Sequence, residues 1–375
     1  MVRHVSAPLP PLTAIPPDLR SLADYEARAQ AHMTPEAWRH VQEGAGREIT
    51  LRENRAAFDR IGFLPRALAD LSGDIGIELF GRRHAAPLLL APIAYQRLAH
   101  PEGELASARA AAALDTGVIA STLASVTIEA IAAAAQAMAR ELGKAAPPLW
   151  FQLYLQPERE HSLQLVRRAE AADYEAIVLT IDAALKPAGI TLPPGIDAVN
   201  LAGMPRPRQT AVPGGRILLG TPLTDAAPGW DDLAWLRRET TLPLLVKGLL
   251  LGEDAARAVD EGADALIVSN HGGRVLDGLP SALELIQSVA EATGGRVPLL
   301  LDGGVRSGTD VVKALALGAS AVLIGRPQMH ALAVAGMAGV AHAIHLLRTE
   351  LEAAMAQLGC PRPDLLTPER LIALG

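Results

Sequence analysis

Where the apolar run ADALIV ends, the chain continues Ser269-Asn-His-Gly-Gly-Arg-Val-Leu-Asp277. A histidine and, three residues on, an arginine put a base and an anion-binding guanidinium on one loop. The two glycines between them suit a backbone that a ligand approaches closely. Comparable residues end other apolar runs: Asp182 after AIVLTI, Lys247 after PLLV, Asp302 and Arg306 in DGGVRSG, Gly325 and Arg326 in IGRP. A lysine that closes a buried strand must find a polar or anionic partner. Glycine N–H groups, an arginine and a following helix start are the parts of a phosphate cradle, although each motif alone also describes a tight turn with a surface arginine. Asp182 alone also reads as a helix cap. His342 and His345 have ligand-like spacing but no matching carboxylate or cysteine cluster, and are expected on a helix surface.

These residues need a frame that brings them together. Eight short apolar runs supply one: 87–93, 117–122, 149–154, 176–182, 243–248, 265–270, 298–304 and 321–327. They read as strands buried on both faces, and alanine-rich helical stretches such as 102–114, 254–261 and 309–317 separate most of them. Strands alternating with helices eight times predict an α/β fold, a (β/α)8 TIM barrel; an open doubly wound sheet is the rival, but no nucleotide fingerprint follows the first strand. In a barrel the C-terminal strand ends converge on one pocket. That rule collects Ala94, Thr122, Gln152, Tyr154, Thr180, Asp182, Lys247, His271, Arg274, Asp302, Arg306, Gly325 and Arg326 around one space.

Outside the barrel runs, residues 1–20 hold five prolines and predict an extended arm. Residues 21–375 are expected to form a single domain. Thr34-Pro-Glu predicts a helix running through His40 to Gly44, and strand-like pieces are expected around 75–80. The segment 183–242, rich in proline and glycine, predicts a long loop after the fourth strand, a candidate lid over the site.

Half of the residues are apolar, 20% are charged, and the formal charge is −7. A large core follows, and nucleic acid, which needs a basic face, is not expected as a partner. The single cysteine, Cys360, precludes a disulfide within the chain and fits a reducing, cytoplasmic location. No stretch suits an integral membrane span, and no metal signature is found.

Taken together, SNHGGRVLDG, LLLDGGVRSGTDVVKALALGASAVLIGRP, LAPIAYQRLAHPEGELASARAA and WFQLY resemble the FMN-dependent 2-hydroxy-acid oxidases and dehydrogenases. The family includes glycolate, lactate and mandelate-oxidising enzymes, and APIAYQRLAHPEGE is similar to its hydroxymandelate branch. The resemblance runs from about residue 24 to about 360 and is poor over 185–225. It implies FMN as cofactor, a 2-hydroxy acid as substrate, oxygen or another electron acceptor, and a homotetramer or larger assembly. It also implies roles. His271 is the base, Asp182 its partner carboxylate, and Lys247 the cation at the flavin N1–O2 edge. Tyr154 and Arg274 bind the substrate. Pro92 and Ala94 line the flavin ring, while Thr122, Gln152 and Thr180 meet its polar edge. Ser269 and Asp302 belong to the cofactor site, Asp302 toward the ribityl chain. Gly304, Arg306, Gly325 and Arg326 hold the phosphate.

Two positions depart from the family pattern. His40 stands where relatives place a substrate-binding tyrosine. Gly189, with Lys186 close by, stands where they place a second carboxylate-binding arginine, for which Arg206 or Arg208 are possible substitutes. The expected activity is oxidation of an L-2-hydroxy acid with an aromatic or bulky side chain. The alternatives are a flavin-binding member with an altered substrate class or little hydroxy-acid turnover, and another FMN barrel such as an isomerase.

Overall fold

A computed structural model describes residues 7–183, 190–205, 219, 224 and 227–374. All eight expected runs are strands of one closed parallel barrel: β4 (Leu88–Leu90), β5 (Gly117–Ser121), β6 (Leu149–Leu153), β7 (Ala176–Thr180), β8 (Leu244–Leu249), β9 (Ala265–Ser269), β10 (Leu299–Asp302) and β11 (Ala321–Ile324), which returns to β4. Three further strands precede them: β1 (Ile61–Phe63), β2 (Ile77–Leu79) and β3 (Arg82–His84). The β2–β3 hairpin packs on the barrel, where the rings of Phe80 and His84 meet Trp150 at 5.7 and 6.1 Å. A last strand, β12 (Leu371–Ala373), pairs with β1 in a separate two-stranded sheet.

The two-residue period of a strand decides what faces inward. Leu89, Ile119, Trp150, Val178, Leu245, Ile267, Leu300 and Leu323 form the cluster inside the barrel. Leu88, Leu90, Phe151, Leu179, Leu244 and Val268, one position out of step, pack in the cluster shared with the helices. One period beyond the inner layer come Gln152, Thr180, Lys247, Ser269 and Asp302. They form the next inward layer, at the C-terminal rim. Register holds them side by side, with Thr180 opposite Lys247 and Ser269 opposite Asp302.

Helices before the barrel flank this rim. They are α1 (Leu22–Ala29), α2 (Pro35–Gln42) and α3 (Ile49–Asp59). Thr34 caps α2, its hydroxyl accepting from Ala37 N at 3.2 Å, and Pro35 fills the first turn. The helix stops at Gln42, short of the expected Gly44, because Glu43 is extended (φ −61°, ψ 146°). The remaining helices are α4 (Glu104–Ala113), α5 (Ile128–Glu141), α6 (Arg159–Ala171), α7 (Trp230–Glu239), α8 (Gly252–Asp260), α9 (Ala282–Thr293), α10 (Gly308–Ala316) and α11 (Arg326–Leu358). Among the described residues only α11 is long and apolar enough to cross a membrane, and 67% of its most apolar window is buried inside the protein. His342 lies on α11 as expected of a helix histidine, but it is half-buried, with Nδ1 2.9 Å from the Tyr25 hydroxyl.

Of the expected loop 183–242, residues 183, 190–205, 219, 224 and 227–242 are described, and its last part is not loop but helix α7 (Trp230–Glu239), whose first turn carries Asp231 and Asp232. Asn200 is buried and anchors the 190–205 stretch, accepting from Ile128 N at 3.0 Å and donating to Val126 O at 3.2 Å.

The inner layer carries a stability prediction. Leu89→Ala opens a cavity beside Trp150 and should cost about 2–5 kcal/mol. Leu142→Ala, at a side chain 46% exposed, should stay within about 0.5 kcal/mol of wild type. Urea unfolding of both variants checks this; equal losses would place Leu89 outside the core.

Candidate active site

The loops after β7 and β9 meet in one hydrogen bond: His271 Nδ1 lies 2.9 Å from Asp182 Oδ1. A carboxylate only accepts, so the proton of the ring sits on Nδ1 and Nε2 is the basic nitrogen. Burial opposes ionisation of Asp182, but the His271 hydrogen bond and the charge of Lys247 outweigh it and hold its carboxyl below the usual range. Space for Asp182 comes from a bulge in β8. Gly248 has φ +109°, and a Cβ there would lie 2.6 Å from the Asp182 side chain.

His271 itself is strained, with φ +57°, and Gly272 and Gly273 follow at +63° and +73°. Left-handed backbone at a non-glycine residue costs about 1–3 kcal/mol and persists only where the surroundings impose it. Here His271 N donates to Ser269 Oγ at 3.0 Å, and Gly273 N to Asn270 Oδ1 at 3.1 Å. Asn270 is in turn locked to Asn54 of α3 by reciprocal amide bonds of 2.9 and 2.8 Å. The glycines were expected to admit a ligand. At Gly273 the close neighbour is protein instead: a Cβ would sit 2.7 Å from Leu51 N of α3.

Lys247 finds the partner that burial demands. Its Nζ is 2.7 Å from Asp302 Oδ2 and donates to Ser269 Oγ at 2.8 Å, and Ser269 Oγ donates to the same carboxylate at 2.8 Å. Burial works against the ammonium, yet Asp302 and Asp182 prevail and raise its pKa, so Lys247 stays charged. Tyr154 lies at the same rim; burial first, then Asp182, pushes its phenol upward, while Arg274 pulls it down. It therefore stays protonated.

At the other end three arginines gather. Arg274 Nη1 donates to the carbonyls of Val41 and Glu43 at 3.2 and 3.1 Å. Arg326 donates to the same two carbonyls from Nε and Nη2, at 2.9 and 3.1 Å, and from Nη1 to Gly272 O at 3.0 Å. Arg306 donates to Val305 O at 2.9 Å and lies 3.7 Å from Glu26. Burial, and then the charges of Arg274 and Arg306, push Arg326 down to about 9. Three guanidiniums this close, with Glu26 near one of them, favour a bound anion.

Some contributors carried no motif. Arg55 of α3 donates to Gly304 O, and to Asp310 Oδ2 at 2.7 Å; Asp310 accepts in turn from Arg306 N at 2.8 Å. Gly304 is required by that helix, since a Cβ would stand 2.0 Å from Asn54 O. Tyr95, next to Ala94, has φ +55° and donates its N–H to Leu123 O at 3.1 Å. A left-handed tyrosine at a strand end signals a functional loop, but its φ is not legible in the sequence.

The other expected residues fall around the rim. Thr122 Oγ1 donates to Gln152 O at 2.7 Å and accepts from Tyr154 N at 3.0 Å. Gln152 Nε2, Thr180 Oγ1 and Asp182 Oδ2 are buried without a partner among the described residues. Pro92 and Ala94 lie on the loop after β4, and Gly325 caps α11. His40 is on the last turn of α2, half-buried. Lys186, Gly189, Arg206 and Arg208 fall outside the described residues.

The chain was compared with known proteins. The FMN-dependent dehydrogenase family model matches residues 29–373. The L-lactate oxidase of Alicycliphilus denitrificans is 49% identical over 96% of this chain and 98% of its own length. The 4-hydroxymandelate oxidase of Amycolatopsis orientalis is 44% identical over 91% and 94%. A mandelate oxidase structure with (S)-2-phenylpropionate superposes with a TM-score of 0.83 at 41% identity, covering 95% and 98%.

FMN fits the residues in place. The arginine cluster calls for a phosphate, and the unpartnered Gln152 Nε2 and Thr180 Oγ1 suit the polar edge of a heterocycle. Arg55 braces Gly304 and Asp310, so if that end takes the phosphate, Arg55 supports the phosphate and not the ring. Arg55→Met should raise the dissociation constant for FMN about tenfold, roughly 1.4 kcal/mol, and leave that for riboflavin unchanged. Fluorescence titration of the apoprotein measures both; equal losses would contradict the assignment.

Proposed function

We propose that this chain, which belongs to the FMN-dependent 2-hydroxy-acid oxidase family, oxidises an L-2-hydroxy acid to the 2-oxo acid with His271 as the base. The observation that carries the reading is the 2.9 Å contact between His271 Nδ1 and Asp182, which makes Nε2 the basic nitrogen of the ring. The substrate hydroxyl would give its proton to Nε2, and Asp182, ionised and facing the ring, would stabilise the imidazolium. Bound FMN supplies the two-electron acceptor for the hydrogen at C2. Lys247, held charged by Asp302, would place a cation beside the flavin.

Arg274 would hold the substrate carboxylate. Two carbonyls already engage its Nη1, which fixes the plane of the guanidinium and leaves Nε and Nη2 for the acid. Tyr154, protonated and beside Arg274, would donate to the substrate, with His40 contributing from α2. Gln152, Thr122, Thr180, Ser269 and Asp302 would meet the flavin and its ribityl chain, Pro92 and Ala94 its ring, and Gly304, Arg306, Gly325 and Arg326 its phosphate. A relative named for L-lactate and a mandelate oxidase mutant solved with (S)-mandelic acid support the L configuration. An aromatic or bulky side chain is favoured by the similarity of APIAYQRLAHPEGE to the hydroxymandelate branch.

General-base assistance is worth about 10²–10⁴-fold. His271→Ala, fully loaded with FMN, should slow anaerobic flavin reduction by at least that order, and Asp182→Asn by less in the same step. Near wild-type reduction in loaded His271→Ala would remove the base from the mechanism. Arg274→Met should lose a charge-assisted pair of about 1.5–3 kcal/mol, read as weaker substrate binding. An unaltered substrate dependence would mean that the acid is held elsewhere.

A further inference from the structure

The end of α2 collects more hydrogen bonds than a helix terminus needs. Val41 O and Glu43 O each accept from both Arg274 and Arg326, over distances of 2.9–3.2 Å. A helix C-terminus carries partial negative charge and unsatisfied carbonyls, so it draws two guanidiniums together despite their repulsion. Between the two shared carbonyls lies Gln42. Its Nε2 donates to Glu26 Oε1 of α1 at 2.8 Å, and its Oε1 is 3.1 Å from His330 Nε2 of α11.

The chemistry of this chain runs one way. A carboxylate only accepts, so Glu26 fixes the orientation of the Gln42 amide and turns Oε1 toward His330. His330 must then donate from Nε2. It is fully buried, and burial, partly offset by Glu26, pushes its pKa down to about 3, so the ring is neutral and the tautomer is set. Trp38 packs on the imidazole at 5.7 Å. Glu26 also lies 3.7 Å from Arg306. One side chain that both donates and accepts therefore fixes the turn on which Arg274 and Arg326 both rest.

We propose that Gln42 is a positioning residue for two anion sites at once: by holding the Val41–Glu43 turn it aims both Arg274 and Arg326, so that an anion bound at one guanidinium favours binding at the other. The inference rests on the reading above, with a substrate acid at Arg274 and the cofactor phosphate at Arg326. With Gln42 holding the turn as one body, aligning either guanidinium on its anion sets the shared carbonyls for the other and spares the second ligand that alignment.

Oxalate serves as the acid probe, and comparing FMN with riboflavin isolates the phosphate. Any direct contact between oxalate and the flavin ring is common to both flavins. Apoprotein is titrated with each flavin, with and without oxalate, and the coupling factor is the ratio of the two dissociation constants. In wild type the factor for FMN should exceed that for riboflavin by about fivefold or more. Gln42→Met keeps the length of the side chain and loses both hydrogen bonds, and should bring the two factors within about twofold. His330→Phe, which removes only the donor to Oε1, should fall between; it carries the test if the first variant does not load flavin. Equal factors above one in wild type, or a difference that persists in both variants, would overturn the coupling alone. Factors of one for both flavins would overturn the acid site at Arg274 as well.

Discussion

Two carboxylates, a lysine and a histidine lie inside the rim of the barrel, and the site depends on how they are paired there. An ion left unpaired at such a depth costs several kcal/mol, more than a marginally stable fold can spare. Asp182 meets His271 at 2.9 Å and Lys247 meets Asp302 at 2.7 Å. Each pair spans alternate strands, β7 to β9 and β8 to β10, and Ser269 joins the two pairs through Lys247, Asp302 and the His271 amide. The charges are therefore fixed against the sheet before any ligand arrives. That is the preorganisation an electrostatically assisted proton transfer requires.

The rim is completed from outside the barrel. Helix α3 brings Asn54 and Arg55 against the loops after β9 and β10, and helix α2 presents its terminal carbonyls to Arg274 and Arg326. The strands thus set the paired charges of the rim, while the preceding helices set the direction of Arg274 and Arg326. The run of left-handed residues from His271 to Gly273 is the joint between these two parts.

The barrel was legible because its signals are local. Each strand is a short apolar run, and the rule that barrel strands converge at their C-terminal ends collects Gln152, Thr180, Lys247 and Asp302 without a structure. The partner of Lys247 followed from the cost of burying it. Contacts between distant segments were not legible. Arg55 to Gly304 and Arg274 to Val41 join residues more than two hundred positions apart, and nothing in the residue types marks them. The end of α2 was misplaced by two residues for the same reason, since Glu43 is extended where arginines from β9 and β11 take the carbonyls. The glycine at 273 was attributed to a ligand but answers to the backbone of α3.

The central claim is that this rim removes two electrons and a hydroxyl proton from a 2-hydroxy acid. Anaerobic titration of the FMN-loaded protein with a panel of L- and D-2-hydroxy acids, small and aromatic, tests it most directly, with the product identified by chromatography. The account predicts that an L acid bleaches the flavin and yields one 2-oxo acid per flavin reduced, while its D isomer does not. A flavin that stays oxidised across the whole panel, or bleaches without a 2-oxo acid, would contradict it.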